Sequence, residues 1–408
     1  MKRALPRRTL RGFSLVELMV AMVIGLVGTV IIFQVFEVSE GIRRTTSAGG
    51  DAQQNGAIAL YSMEADLRNA GMGFNDTSYA GCSIAGYDAT RTGGNFPIAP
   101  ATMLMVPVRI TSGGSDTVAD SFDVFYGSQN MVGNSTTLYA NMGGATSDLT
   151  LVNTFGFRTG DIILLMQPGS ASTCNLMEVT GLPGSNVVKH ATGAYTLTWS
   201  SNTQVNARFN PSAGLGITYT GANTANATRV FNLGNLYPDV GSGASTVPVY
   251  NNYAISSNAL TQTTQFMVDA STSAPKLNTV GDNIVHMRAL YGLDDGVDNG
   301  TVTYNTTFLA GDGIVDRYVD GSTTPNWQRV IAVRVAVVAR GALAEKPSSG
   351  TVCDTTTTAP TWSGSAWAVS PFNLMTKLDV SSDANWQCYR YKVFETTIPL
   401  RNWIWKSS

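Results

Sequence analysis

Residues 13–36 read FSLVELMVAMVIGLVGTVIIFQVF, and Glu17 is the only charged side chain among them. A bilayer core takes roughly 20 apolar residues of helix, so this run can span a membrane, and the rest of the fold has to hang from it. The 12 residues before it carry Lys2, Arg3, Arg7, Arg8 and Arg11 and no acid. Positive charge ahead of an apolar segment holds that end in the cytoplasm. A secretory signal peptide differs, with an apolar core of about 7–15 residues followed by its cleavage site. Here the cut that fits lies before the run, between Gly12 and Phe13. It would remove the charges and keep the anchor.

Glu17 is the odd residue. A carboxylate inside the apolar span costs on the order of 2.5–3.5 kcal/mol, so such acids are usually paired. After the cut, a new α-amino group would sit on Phe13, four residues away. Two readings follow. Either the carboxylate lies near the interface and stays solvated, or it neutralises a terminal ammonium, most usefully that of a neighbouring subunit.

The stretch RGFSLVELMVAMVIGL resembles the leader and N-terminus of type IV (class III) prepilins. Gly12 stands before the cut, Phe13 after it and Glu17 at the fifth mature position. The resemblance implies cleavage by a membrane aspartic peptidase, N-methylation of Phe13, and pairing of Glu17 with an adjoining subunit's N-terminus. Three further stretches, GAIALYSMEADLRNAGMGF, VRVAVVARG and CYRYKVFETTIPLRNWIW, are similar to parts of PilW-like minor pilins. That likeness implies a single-pass inner-membrane protein with its leader in the cytoplasm and its head in the periplasm, later at the pilus or cell surface. It also implies a role in pilus assembly and initiation. The implied partners are other minor and major pilins, the prepilin peptidase and the inner-membrane assembly platform. Two alternatives stay open: a pseudopilin of type II secretion, and a tip adhesin or DNA-uptake pilin using long head loops.

Charged residues make up 13% of the 408, against roughly 25% in ordinary soluble domains. The surface is therefore built largely from uncharged polar groups. Without the five basic leader residues, 21 Lys and Arg face 28 Asp and Glu. A mildly acidic chain does not favour nucleic acid, whose binding rests on phosphate neutralisation. Cys82, Cys174, Cys353 and Cys388 all follow the anchor, on the side expected to be oxidising. Three connectivities are possible; Cys82–Cys174 with Cys353–Cys388 keeps each bridge local, and free buried thiols are the alternative. No Cys-x-x-Cys pair points to zinc.

No nucleophile elbow, P-loop or zincin helix is present. His190 and His286 have no acidic or Cys neighbour at metal spacing. The expectation is therefore no catalytic residue, no enzyme activity, no cofactor and no metal. The only metal candidates are for calcium: Asp294, Asp298, Asp312 and Asp316, in a glycine-bearing loop that also holds Asp295 and Asn299. Calcium wants six to eight oxygens, but the EF-hand ladder is missing, and turn residues of a solvated loop explain the cluster as well.

The fold class expected is α+β, pilin-like. One long helix over about 14–69 would have a membrane-spanning half (13–36) and an amphipathic half (37–70). It would pack on a large antiparallel β-rich head, 71–408, possibly with an inserted module near 100–260. Gly41 and Gly49-Gly50 weaken the helix and are places for it to bend. Leu60, Met63, Leu67 and Ala70 form an apolar stripe at helical spacing. After Gly73, short apolar runs between Gly, Ser, Asn and Thr clusters predict strands. They cover Thr102–Val108, Ser121–Tyr126, Asp161–Gln167, Leu176–Thr180, Tyr195–Trp199, Gln265–Asp269, Asn283–Tyr291, Gln328–Arg340 and Tyr389–Leu400. In Gln328–Arg340 the residues Ile331, Val333, Val335, Val337 and Ala339 share one face, with Arg334 and Arg340 on the other. Long loops are expected at 202–226, 241–259 and 348–364. Five tryptophans crowd the end: Trp362, Trp367, Trp386, Trp403 and Trp405. Packing explains most of them, with Trp403 and Trp405 the best placed for subunit contact.

Overall fold

The computed structural model describes residues 12, 14–74, 76–97, 103–127, 135–167, 173–214, 216–221, 227–237, 247–268, 274–296, 311–347, 352–368 and 374–404. The chain begins with one continuous helix, Leu15–Asn69, 55 residues long. At roughly 1.5 Å per residue it spans about 80 Å. It runs through Gly41, Gly49 and Gly50 without interruption. Its buried residues are Ala48, Ala52, Gly56, Ala59, Met63 and Leu67, spaced by three or four so that they line one face. Ala70 closes the stripe. Leu60, expected in the stripe, lies half-buried on its flank, and Ala59 takes its place. Small residues lead because the head comes close there. A Cβ on Gly56 would run into the Phe394 ring, so glycine is kept inside a helix where it costs about 1 kcal/mol relative to alanine.

The helix lies against a four-stranded antiparallel sheet, in the order Arg317–Val319, Ile284–Leu293, Val330–Arg340, Tyr391–Pro399. Val333, Val335, Val337 and Ala339 share the main core with Ala52, Ala59, Met63 and Leu67 of the helix. Strand alternation turns Ala336 and Val338 to the opposite face. There they pack with Leu290, Trp362, Leu378 and Val380. The second face is therefore covered as well, and its two arginines are put to use. The Arg334 guanidinium lies 5.4 Å from the Tyr318 ring and 5.7 Å from Trp362. Arg340 stacks on Tyr389 at 4.2 Å and pairs with Asp383 at 2.7 Å.

A second antiparallel sheet runs Pro275–Asp282, Ala259–Val268, Val249–Ser256, Ser121–Tyr126, Val108–Thr111. Val249 pairs directly with Tyr126, so residues 127–248 leave this sheet and come back beside their point of departure. The excursion builds most of a third sheet, ordered Asn95–Phe96, Ser83–Tyr87, Thr173–Glu178, Asp161–Met166, Arg229–Asn235, Ser135–Thr137. One face of that sheet feeds Ile162, Leu164, Phe231 and Leu233 into the main core. The other forms a smaller core with Leu138, Leu149, Leu151, Ile163, Leu165 and Val230. The architecture is α+β: one long helix and a large antiparallel β-rich head.

Expectations for three segments need correction. The stretch 202–226 is not all loop, since Thr203–Asn206 pairs with Ala194–Leu197. Residues 241–259 were expected to be a loop, yet Val249–Ser256 is a paired central strand. Asn251 and Asn252 interrupt its apolar pattern because their amides are engaged, Asn251 with Asp66 and Asn252 with Asp123. Of the strand expected over Thr102–Val108, the described residues 103–107 form none. Its core residues Met103, Met105 and Val106 are buried, but only a bridge at Leu104 precedes the strand starting at Val108. Pro107 has no N–H for a ladder.

Cys82 is bonded to Cys174 and Cys353 to Cys388. The first bridge adjoins the parallel pair of Ser83–Ala85 with Thr173–Asn175. The bridges span 92 and 35 residues of sequence. On the loop-entropy model that corresponds to about 4–5 and about 3–4 kcal/mol at most. Denaturant unfolding of the full chain in detergent should therefore show Cys82→Ala/Cys174→Ala as the more costly double substitution.

Candidate functional site

The site expected from sequence is the start of the helix. Ser14 is its N-cap: the Ser14 hydroxyl accepts the Val16 N–H at 3.3 Å, and Glu17 accepts the Ser14 N–H at 3.0 Å. This is a capping box, in which cap and third residue satisfy each other's backbone donors. Among the described residues, Ser14 is the polar partner of Glu17. Gly12 is described and exposed, whereas Phe13 lies outside the described residues. From Leu15 to Ile42 the helix shows its large apolar side chains to the outside: Leu15 is 75% exposed, Phe33 73% and Ile42 63%. An 18-residue window of the helix has mean hydropathy 2.6 and none of it is buried. By length and composition this half can cross a membrane.

The other half of the helix is seated by a group that sequence reading missed. Asp66, half-buried beside Met63 and Leu67, reaches into the second sheet. Its carboxylate accepts the Tyr253 hydroxyl at 2.6 Å, the Tyr126 hydroxyl at 2.8 Å, Asn251 Nδ2 at 2.7 Å and Gln262 Nε2 at 3.3 Å. Burial first, and then the neighbouring carboxylate, push both tyrosines far above their ordinary pKa, so both hydroxyls remain donors at any physiological pH. The signal for this peg was an acid bordering the apolar stripe. The signal for Gly56 was a glycine at stripe spacing inside a helix, which points to close backbone approach.

Further buried charges join the sheets. Asp88 is held by Arg91 at 2.7 Å and by Arg208 through two bonds of 2.7 Å. Arg208 also donates to the Phe266 carbonyl at 2.9 Å, which ties the third sheet to the second. Glu178 accepts the Arg208 and Phe209 N–H groups and the Tyr195 hydroxyl.

Asp161, fully buried, accepts the Arg158 N–H at 2.7 Å, Asn232 Nδ2 at 2.7 Å and Asn235 Nδ2 at 2.8 Å. Burial outweighs these bonds and pushes its pKa up to about 6. A folded-state pKa above the unfolded one stabilises below the unfolded value and loses that contribution as pH rises through 6. His286, lowered to about 4 mainly by burial, works oppositely over an overlapping range. A difference measurement separates them. Relative to Asp161→Asn, the wild-type chain should gain on the order of 2–3 kcal/mol between pH 7 and pH 4, read from paired denaturant titrations.

The remaining candidates fall in separate places. Asp294 is buried and accepts the Gly311 and Gly313 N–H groups, the latter at 2.8 Å. Asp316 accepts the Gly296 N–H at 2.7 Å, Asp312 the Ile314 N–H at 2.9 Å, and Asp295 pairs with Arg317. These carboxylates shape the turn; Asp298 and Asn299 lie outside the described residues. Among the described residues no three His, Cys, Asp or Glu side chains form a group able to hold a metal ion. His190 bonds the Ser147 carbonyl at 2.8 Å and His286 the Asp116 carbonyl at 3.0 Å.

Trp403 is corrected from contact residue to core residue. It is 1% exposed, donates to the Trp327 carbonyl at 3.0 Å and meets Phe74 edge to face at 6.3 Å. The short helix Arg401–Ile404 folds it under the end of the long one. Trp362 is likewise buried, bonded to the Thr376 carbonyl at 2.6 Å. Trp405 and the Trp367 side chain lie outside the described residues.

Two family models match the chain. Residues 251–402 match the type IV pilus-assembly protein W, and residues 7–33 match the prokaryotic N-terminal methylation motif. The first covers the last strands of the second sheet and all four strands of the helix-bearing sheet; the second covers residues 7–12 and the exposed helix as far as Phe33. No curated protein and no solved structure matches the chain. The two matches support a membrane-anchored minor pilin of a type IV pilus system and point to a structural role.

Proposed function

We propose, from the premise of a chain that matches a PilW-like type IV prepilin, that it is a minor pilin that helps initiate pilus assembly. The leader is cut between Gly12 and Phe13 and the new Phe13 amine is methylated. The exposed half of the helix holds the chain in the inner membrane and then enters the fibre beside other minor and major pilins. Glu17 guides that step. In hydrocarbon its carboxylate has, among the described residues, one amide donor, from Ser14, which offsets little of the cost of burying a charge. The ammonium of an adjoining subunit offsets far more.

The observation that carries this reading is the division of one continuous helix. Its apolar side chains are bare up to Ile42, and its inward stripe is sealed on the head from Ala48 onward. A helix bare over half its length needs lipid or other helices around it. Mass spectrometry of the membrane-extracted chain tests the reading: the expected N-terminus is N-methylated Phe13, recovered with other pilins. A chain that still begins at Met1, or that starts beyond Phe36, would overturn it. Recovery with secretion components in place of pilus components would move it to a pseudopilus.

A further inference from the structure

The exposed half of the helix rises about 33 Å between Leu15 and Phe36 at roughly 1.5 Å per residue. That slightly exceeds the roughly 30 Å of a bilayer's hydrocarbon. Glu37, Glu40 and Arg44 therefore stand at the headgroup level. The head reaches down to the same level. Gly341 sits against Ala48, where a Cβ would lie 2.9 Å from the alanine side chain, and the chain after it brings Lys346 Nζ to 3.8 Å from Glu37.

Between helix and loop lies a cleft of about 520 Å³. Phe33 and Phe36 line its membrane end, and Glu37, Arg44, Glu345 and Lys346 line the end away from the membrane. Arg44 is steadied by Glu40 at 3.2 Å and Glu345 by Arg390 at 2.5 Å. Glu37 and Lys346 are different. Their side chains are 74% and 73% exposed, and their 3.8 Å pair bridges the helix and the loop. Such an exposed pair contributes little, so a ligand that satisfies both charges can displace it.

The lining sets the ligand's chemistry. It needs an apolar part for the two phenylalanines, an anion for Lys346 and Arg44, and a cation for Glu37. The lining holds three acids, Glu37, Glu40 and Glu345, against two bases, Arg44 and Lys346, so a purely anionic headgroup gains no net attraction. Among the described lining residues the aromatic rings are Phe33 and Phe36, which stand at the membrane end and meet the acyl chain, so the charged end offers no cage for a quaternary ammonium, whereas a carboxylate accepts N–H bonds from a primary one. We infer that this cleft holds a phosphatidylethanolamine, phosphate toward Lys346 and Arg44 and ammonium toward Glu37, while the chain resides in the membrane. The inference rests on the membrane-anchored reading above.

The test uses the full chain in nanodiscs that contain phosphatidylethanolamine, phosphatidylglycerol or phosphatidylcholine, each carrying a diazirine on the acyl chain. After irradiation, peptides from 33–45 and 341–347 should carry phosphatidylethanolamine about fivefold more often than the other two lipids. Glu37→Gln and Lys346→Gln should each bring that yield down to the phosphatidylcholine level with thermal unfolding unchanged, since both side chains are exposed. Equal labelling by all three lipids, or undiminished selectivity in both variants, overturns the inference and leaves the anchor standing. A chain recovered from the aqueous phase without detergent overturns both.

Discussion

A Glu17→Gln chain is expected to be cleaved and to stay in the membrane, yet to be nearly absent from assembled fibres. Glutamine keeps the capping box, because its amide oxygen can accept the Ser14 N–H as the carboxylate does. The substitution thus leaves the helix start intact and removes only the charge. In the bilayer the neutral side chain is easier to hold, so the chain loses a reason to leave. On the proposed pairing, the adjoining ammonium in the fibre loses its counter-charge. If the roughly 2.5–3.5 kcal/mol cost of an acid in the membrane sets the scale, incorporation falls on the order of 100-fold at equal membrane abundance. Quantitative immunoblotting of sheared fibres against membranes reads it. Unchanged incorporation would refute the pairing role and leave Glu17 as a capping residue.

The second large effect belongs to Asp66. Asp66→Ala removes the acceptor shared by Tyr126, Tyr253, Asn251 and Gln262. Bonds to a charged group contribute about 1.5–3 kcal/mol each, and a buried donor left unmade costs more than the mean bond. Gln262 still reaches the Tyr253 hydroxyl at 2.8 Å, and Asp66 is only half-buried, so the sum is discounted to about 3–4 kcal/mol. Asp66→Asn should cost less, since its oxygen still accepts the tyrosine hydroxyls. Denaturant unfolding of the full chain in detergent measures the cost. Limited proteolysis should show faster cutting between Ala48 and Asn69, because the helix is losing its seat. Resistance equal to the wild type would mean that the apolar stripe alone holds the helix.

The sequence made the ends of the fold readable and the middle much less so. A 24-residue run with one charge has few alternatives, and the helix boundaries fell within a residue of expectation. From Val333 to Ala339 the strand was legible because alternating β-branched residues admit one face assignment; a register shift at Gly292/Leu293 puts Val330 in the main core where Ile331 is expected, and the cover on the second face depends on Trp362, Leu378 and Val380, residues far along the chain. The meander around Val249–Ser256 was hidden because its asparagines serve long-range partners, a role no local pattern reveals. Asp66 was hidden for the same reason, with its donors 60 to 196 residues away. Trp403 read as a surface anchor because chain ends are usually exposed, but a four-residue helix tucks it beneath Phe74.

Tyr126 and Val249 face each other across one ladder, so the long detour between them starts and finishes at adjacent points. Chain segments with neighbouring ends are the ones that tolerate replacement. Lineages could lengthen, trim or exchange this cassette without shifting the register of the strands that grip the helix, provided the surface it turns inward stays oily.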